Sequence, residues 1–313
     1  MLGKTANGLF WMSRYLERAE NTARLIETGQ RIALTRLGDS DEEWASVLQS
    51  AGVYDAFLAN NESLTKEAAL NWMLRSRDNP SSIRSSIDAA RQNARLVRTA
   101  ITGEVWEAVN ATYMTSNRIL ARKLAERDLP AVLRTIRQHT ALVRGMMHGT
   151  MMRNEIFDFL RIGTFLERAD YTARIVDVKY YVLLPSVSAV GTKIDNVHWE
   201  SILRAVSANG GFRMEYGATG GPRQIVHFLI LDKRMPRSLA FCADKLTDNL
   251  RYLNAGNRTR ARSLEKVTEL QTRYLTHDVS AIFDYGLHEF IQSVLVHLSE
   301  VARQIEVDFR FYE

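Results

Sequence analysis

The sequence predicts an all-α fold, arranged as a tandem duplicated multi-helix bundle with pseudo-twofold symmetry. Three observations support this prediction: there are only 5 prolines and 17 glycines in 313 residues, long segments place apolar residues at helical spacing, and one nine-residue string occurs twice. A many-stranded fold needs more turn-forming residues than this. The hydrophobic fraction of 46% and charged fraction of 25% are typical of folded domains and disfavour extended disorder.

The repeated string reads LERAENTAR at residues 16–24 and LERADYTAR at residues 166–174, with seven identities in nine positions. Two further blocks recur in the same order: Trp44, Ser46 and Leu48 as Trp199, Ser201 and Leu203, and Pro80, Ser82, Asp88, Asn93 and Arg95 as Pro236, Ser238, Asp244, Asn249 and Arg251. Such collinear matches indicate a duplicated unit. We therefore predict one helical repeat over 1–150 and a second over 151–313. No linker-like segment separates them, so we expect one continuous body.

The first repeat is predicted to contain six helices, each placed by apolar spacing and by start or stop signals. The third helix should end before Asn79, since a residue preceding proline avoids the α region. Ser81 and Ser82 should cap the fourth helix, and Pro130 stands in the first turn of the sixth, where proline is tolerated. The second repeat should follow this plan from Asn154. The predicted helices of the first repeat span residues 10–34, 42–58, 65–76, 82–100, 103–126 and 129–150.

The stretch 207–223 contains five glycines and is predicted to be a long loop. Glycine-rich loops that hold phosphates follow a strand and precede a helix N-terminus at fixed spacing. Neither neighbour is evident in this sequence. Phosphate binding is therefore not favoured at this stretch.

The Glu-Arg pattern in the repeated string is the candidate site. Residues seven apart on a helix lie about 20° apart around its axis, so Glu17 and Arg24 share a face. Each copy also places an acid four residues before an arginine, the favourable order for a pair within one helix. The candidate residues are Glu17, Arg18, Glu20, Arg24, Glu167, Arg168, Asp170 and Arg174, with the repeat-equivalent positions Asn93, Arg95, Asn249 and Arg251 as secondary candidates.

Two interpretations of this pattern stay open. In the first, each acid–arginine set is a partly buried brace where helices cross, giving register rather than much net stability. In the second, the two motifs line a polar cleft in which guanidinium groups bind a carboxylate or phosphate of a peptide or substrate. An enzyme of this kind would use Glu17 or Glu167 as a general base and Arg24 or Arg174 as the carboxylate clamp.

Other chemistries have little support in the sequence. It contains no HExxH pair, no paired Glu-x-x-His helices and no Cys/His cluster, so we predict neither a metal nor a cofactor. Cys242 has no evident base nearby in the sequence, so covalent catalysis lacks a candidate. The net charge of +5 allows a third hypothesis, a basic helical nucleic-acid binder, but the positive residues are spread among nearly as many acids.

The expected location is the cytoplasm. A single cysteine cannot form an internal disulfide, which suits a reducing compartment. The longest apolar runs fall far below the roughly 20 residues that span a bilayer, and residues 9–12 are too short for a signal-peptide core. We therefore expect no membrane association.

Four blocks, LFWMSRYLERAENTAR, NPSSIRSSIDAARQNAR, FLERADYTAR and LDKRMPRSLAF, occur in this order and resemble the Alpha-E family of bacterial helical domains named for a Glu-Arg motif. The resemblance covers essentially the full chain. It implies companions: a circularly permuted ATP-grasp amidoligase-type enzyme, in some cases with a transglutaminase-like peptidase and a proteasome-like hydrolase. The implied function is that of a non-catalytic helical accessory protein in peptide ligation or peptide-tag metabolism.

Overall fold

The computed structural model describes residues 1–33, 41–181, 193–217, 220–255 and 261–312. All regular elements within these ranges are helical, which confirms the all-α prediction. A short 3-10 turn over Glu126–Asp128 precedes the seventh helix. The helices are α1 (Gly3–Ala33), α2 (Asp41–Ser50), α3 (Tyr54–Asn60), α4 (Lys66–Leu74), α5 (Ile83–Leu96), α6 (Gly103–Ile119), α7 (Leu129–Thr150), α8 (Glu155–Tyr181), α9 (Lys193–Ala205), α10 (Asn209–Tyr216), α11 (Pro222–Ile230), α12 (Leu239–Asn254), α13 (Arg262–Tyr274), α14 (Val279–Tyr285) and α15 (Leu287–Asp308).

The two longest helices, α1 and α8, form the centre of the molecule. They contain 31 and 27 residues and bury side chains around most of their circumference, as expected for helices surrounded by others. Their backbones approach closely at Gly163, where an added Cβ atom would lie 2.3 Å from the carbonyl oxygen of Phe10. A glycine is therefore required at this crossing.

Other helices pack against each member of this central pair. Helices α5, α7 and α9 pack against α1, while α12, α15 and α2 pack against α8. Helices α2 and α9 each contact both central helices. One hydrophobic cluster contains side chains from both predicted repeats, among them Leu9, Trp44, Leu160, Trp199 and Phe311.

Several predicted helix signals act as expected. The Ser82 hydroxyl accepts a hydrogen bond from the backbone N–H of Ser85, and the Ser238 hydroxyl accepts one from Phe241, so α5 and α12 begin with the same type of cap. Pro130 lies in the first turn of α7. Among the described helices, none has both the length and the apolar character needed to cross a membrane.

Two predictions of local structure are wrong, and the helix predicted over 103–126 ends early, at Ile119. The single helix predicted over 42–58 is divided into α2 and α3 at Gly52, whose φ of 68° is unfavourable for residues with a side chain. The long loop predicted over 207–223 contains α10 and the start of α11. Phe212 of α10 packs against Phe228 of α11 with ring centroids 5.7 Å apart, and this apolar contact outweighs the low helix propensity of the glycines.

Candidate functional site

The two Glu-Arg motifs meet where α1 crosses α8, and each pairs with the other. Arg168 of the second motif donates from Nε to Oε1 of Glu17 in the first, at 2.9 Å. Arg18 of the first motif donates from Nε to Oε1 of Glu167 in the second, at 2.6 Å. These two contacts pair the motifs between the repeats, because the residues lie on the facing sides of the two central helices.

The larger group of charges, which we call the Glu17 cluster, consists of Glu17, Glu20, Arg24, Arg144, Arg168 and Arg237. Arg144 bridges both acids, donating to Glu17 and Glu20 at 2.8 Å each. Arg237 does the same from the other side, at 3.0 Å and 2.7 Å. The cluster thus joins α1, α7, α8 and the N-terminal end of α12.

Burial and charge act in opposite directions on the Glu17 cluster. Glu17 and Glu20 are each 1% exposed. Burial alone raises the pKa of a carboxyl group, but the adjacent Arg168, Arg237 and Arg144 hold the pKa of Glu17 well below its ordinary value. Burial lowers the pKa of Arg237 to about 10, with Arg168 as a repelling neighbour. Burial and the like charge of Glu17 oppose ionisation of Glu20, but Arg237, Arg144 and Arg24 still lower its pKa, so both glutamates are ionised.

The second group, which we call the Glu167 cluster, consists of Glu167, Arg14 and Arg18. Arg18 donates to both oxygens of Glu167 in a two-pronged contact, and Arg14 donates from Nε to Oε2 at 2.8 Å. Burial opposes ionisation of Glu167, but Arg18 and Arg14 overcome it and lower the pKa to about 2. Next to this cluster, Arg174 pairs with Asp170 within α8, with Nε 2.7 Å from Oδ2.

This geometry disfavours acid–base catalysis by the motif. A general base near neutral pH needs a raised carboxyl pKa, whereas those of Glu17 and Glu167 are lowered. Cys242 is fully buried, and burial raises the pKa of its thiol to about 12, far from the value of a reactive thiolate. In the described part of the chain, no three His, Cys, Asp or Glu side chains are grouped as metal ligands.

The secondary candidates lie outside both clusters. Asn93 of α5 and Asn249 of α12 each donate from Nδ2 to the carbonyl four residues earlier, so they act within their own helices. Arg95 and Arg251 are exposed on the same two helices. The structure therefore does not bring these four residues to the motif.

Sequence reasoning missed three arginines of the two clusters. Arg237 lies between Pro236 and Ser238, two residues already matched to the first repeat, so its position carried a detectable signal. Arg14 lies one helical turn before Arg18, which is a weaker signal. No sequence signal identifies Arg144, because it lies 127 positions from Glu17 in the sequence and their contact depends on how α7 packs on α1.

Acid is expected to destabilise this protein through the glutamates of the two clusters. A carboxyl group with a depressed folded-state pKa stabilises the fold fully above its ordinary value of 4.5, and this contribution is lost as the pH falls through the folded value, about 2 for Glu167. At about 1.4 kcal/mol per pKa unit, Glu167 alone accounts for roughly 3 kcal/mol. Urea unfolding between about pH 7 and about pH 3 should show the loss. A Glu167→Gln variant should show a shallower pH dependence, and equal slopes for both proteins would contradict this assignment.

Comparison with known proteins identifies the family of this chain. The model of the Alpha-E family, described as a predicted alpha-helical domain with a conserved ER motif, matches residues 1–309. Uncharacterised proteins of Mycobacterium bovis and Mycobacterium tuberculosis are each 24% identical to this chain over 86% of its length. The chain spans 32% of the length of these relatives. No solved structure matches significantly. Because the match covers residues 1–309, nearly the whole length, the chain belongs to the Alpha-E family.

Proposed function

We propose that this protein is a non-catalytic helical accessory protein that works with an ATP-grasp amidoligase-type enzyme in peptide ligation or peptide-tag metabolism. The mutual pairing of the two motifs is the main support for a non-catalytic role. Glu17 and Glu167 each accept hydrogen bonds from at least two arginines and have lowered pKa values. Such groups hold helices in register rather than transfer protons.

The length of the relatives supports the partnership. The segment related to this chain makes up only about a third of the mycobacterial proteins, so there it lies beside other sequence in one polypeptide. The family resemblance supplies the nature of the companion, an ATP-grasp enzyme, with a transglutaminase-like peptidase and a proteasome-like hydrolase as further candidates. We propose that the protein performs this accessory function in the cytoplasm, where ATP and reduced thiols are available.

The nucleic-acid hypothesis is weakened by where part of the positive charge lies. The Glu17 cluster contains four arginines and two glutamates and is largely buried, with Arg168 and Arg237 less than a tenth exposed. Buried guanidinium groups cannot neutralise backbone phosphates, which supply most nucleic-acid affinity. Part of the net charge of +5 is therefore internal.

We also propose that 1–150 and 151–313 arose by tandem duplication and are related by pseudo-twofold symmetry within one body. Three matched contacts support this proposal. The ion pairs Glu17–Arg168 and Arg18–Glu167 are reciprocal. Thr22 and Thr172, equivalent in the repeated string, donate to the carbonyl oxygens of Ser81 and Arg237, which follow the matched prolines. The central helices α1 and α8 also have corresponding neighbours, as described above.

Reconstitution with the ATP-grasp protein from the same organism tests the partnership. We expect the two chains to co-purify and the ligase activity to fall at least tenfold when this chain is omitted. A helical protein of similar size and net charge serves as the control and should not restore activity. Unchanged ligase activity without this chain would rule the proposal out.

A further inference from the structure

A cavity of about 270 Å³ lies between α1, α8 and the turns that follow α2 and α4. Its walls include Arg18 and Asn21 of α1, Tyr171 and Arg174 of α8, and Ser81. The side chains of Arg18 and Arg174 are 21% and 33% exposed, so solvent reaches the cavity. Its volume suits a small ligand or the end group of a longer one.

The sequence explains why a cavity exists at this position. When Pro80 is aligned with Pro236 and Ser82 with Ser238, Ser81 of the first repeat occupies the position that Arg237 occupies in the second. The long side chain of Arg237 extends between Glu17 and Glu20. Ser81 is short and leaves space on its own side of the α1–α8 crossing.

Two buried hydrogen-bond donors belong to the walls of this cavity. Tyr171 and Asn21 are 6% and 3% exposed, and within the described part of the chain the Tyr171 hydroxyl and Asn21 Nδ2 have no hydrogen-bond partner. The Asn21 amide cannot simply be reversed, because its Oδ1 accepts from Arg237 at 3.2 Å. Buried donors without acceptors are costly, so a ligand acceptor that hydrogen-bonds to these two would offset that cost.

The acids of the cavity are already engaged, whereas some arginine donors are not. Both oxygens of Glu167 accept from Arg18, and both oxygens of Asp170 accept from Arg174. Nε and Nη2 donate these hydrogen bonds. In the described part of the chain, Nη1 of Arg18 and Nη1 of Arg174 have no hydrogen-bond acceptor. With Arg14, the walls contain three arginines and two acids. This balance suits a single negative charge and disfavours a cation.

We propose that this cavity binds a carboxylate group, with Arg18 and Arg174 supplying charge-assisted hydrogen bonds and Asn21 and Tyr171 supplying neutral ones. A carboxylate offers several acceptor sites and one negative charge, matching both the unpartnered donors and the excess of one arginine. A phosphate dianion would leave a buried excess of negative charge. The site goes beyond the proposed partnership and does not depend on it.

Small probes measured by calorimetry on the full chain test the site. N-acetylalanine presents a terminal carboxylate, the α-amide of N-acetylaspartic acid presents only a side-chain carboxylate, and N-acetylalaninamide presents none. We expect at least one of the two acids to bind and the neutral amide to bind at least tenfold more weakly. The stronger acid identifies whether a chain end or an acidic side chain is the natural group. Equal binding of acid and neutral amide, tighter binding of inorganic phosphate, or no binding of either acid at millimolar concentration would overturn the proposal.

Two variants place the binding at this cavity. Tyr171→Phe removes a hydroxyl that has no partner in the described chain, so it should leave the urea midpoint unchanged or higher while weakening carboxylate binding roughly tenfold. Arg174→Gln should weaken binding further. The matched control is Arg204→Gln, which breaks a similar pair with Glu200 four residues earlier, outside this cavity, and should bind like the parent chain. Parent-like binding by both cavity variants would refute the assignment.

Discussion

Replacing Glu17 by glutamine is expected to lower the free energy of unfolding by about 3–5 kcal/mol. The substitution preserves shape but removes the negative charge that Arg144, Arg168 and Arg237 share. Since Glu17 is 1% exposed, water cannot replace it, and three guanidinium groups would be left with Glu20 as their nearest acid. Urea unfolding of the parent and variant at neutral pH measures the loss.

The control for this prediction is Glu200→Gln, which breaks an exposed pair with Arg204 and should change stability by at most about 0.5 kcal/mol. Adding Arg168→Met to Glu17→Gln should recover part of the loss, because the second change removes one of the uncompensated buried charges. If the two glutamine variants lost the same stability, the Glu17 cluster would not hold the helices together as described.

Gly163→Ala is expected to destabilise the protein by about 1–3 kcal/mol, although alanine favours helices over glycine. The new methyl group would lie 2.2 Å from Oγ of Ser13 and 2.3 Å from the carbonyl oxygen of Phe10. The serine side chain can rotate, but the carbonyl belongs to the backbone of α1. The two central helices must therefore move apart, which also lengthens the ion pairs Glu17–Arg168 and Arg18–Glu167.

Gly145→Ala is the matched control, since Gly145 also lies within a helix, α7, but has open space where its Cβ atom would be. This change should raise stability by about 0.5–1 kcal/mol through helix propensity alone. Thermal or urea unfolding of both variants gives the comparison. Equal effects of the two substitutions would show that the close approach of α1 and α8 has little energetic weight.

Local sequence signals identified most of the helices because helix starts and stops depend on neighbouring residues. Ser82 and Ser238 as caps, and Pro130 in a first turn, follow from backbone chemistry that any helix obeys. The same reasoning failed at Gly52, whose positive φ is visible only in three dimensions. It also failed at α10, where the packing of Phe212 on Phe228 overrides the local preference of the glycines.

The amino-acid sequence is sufficient to predict that this chain is helical, to show that a Glu-Arg string occurs twice, and to identify the resemblance to the Alpha-E family. These conclusions rest on periodicity, composition and identity along the chain. The packing of the helices is needed to see that Glu17 pairs with Arg168 and Glu167 with Arg18. It is also needed to see that Arg144 and Arg237 complete the Glu17 cluster and that Ser81 borders a cavity. Ion pairing and burial depend on which helix faces meet, and the paired residues on those faces lie more than 100 positions apart in the sequence.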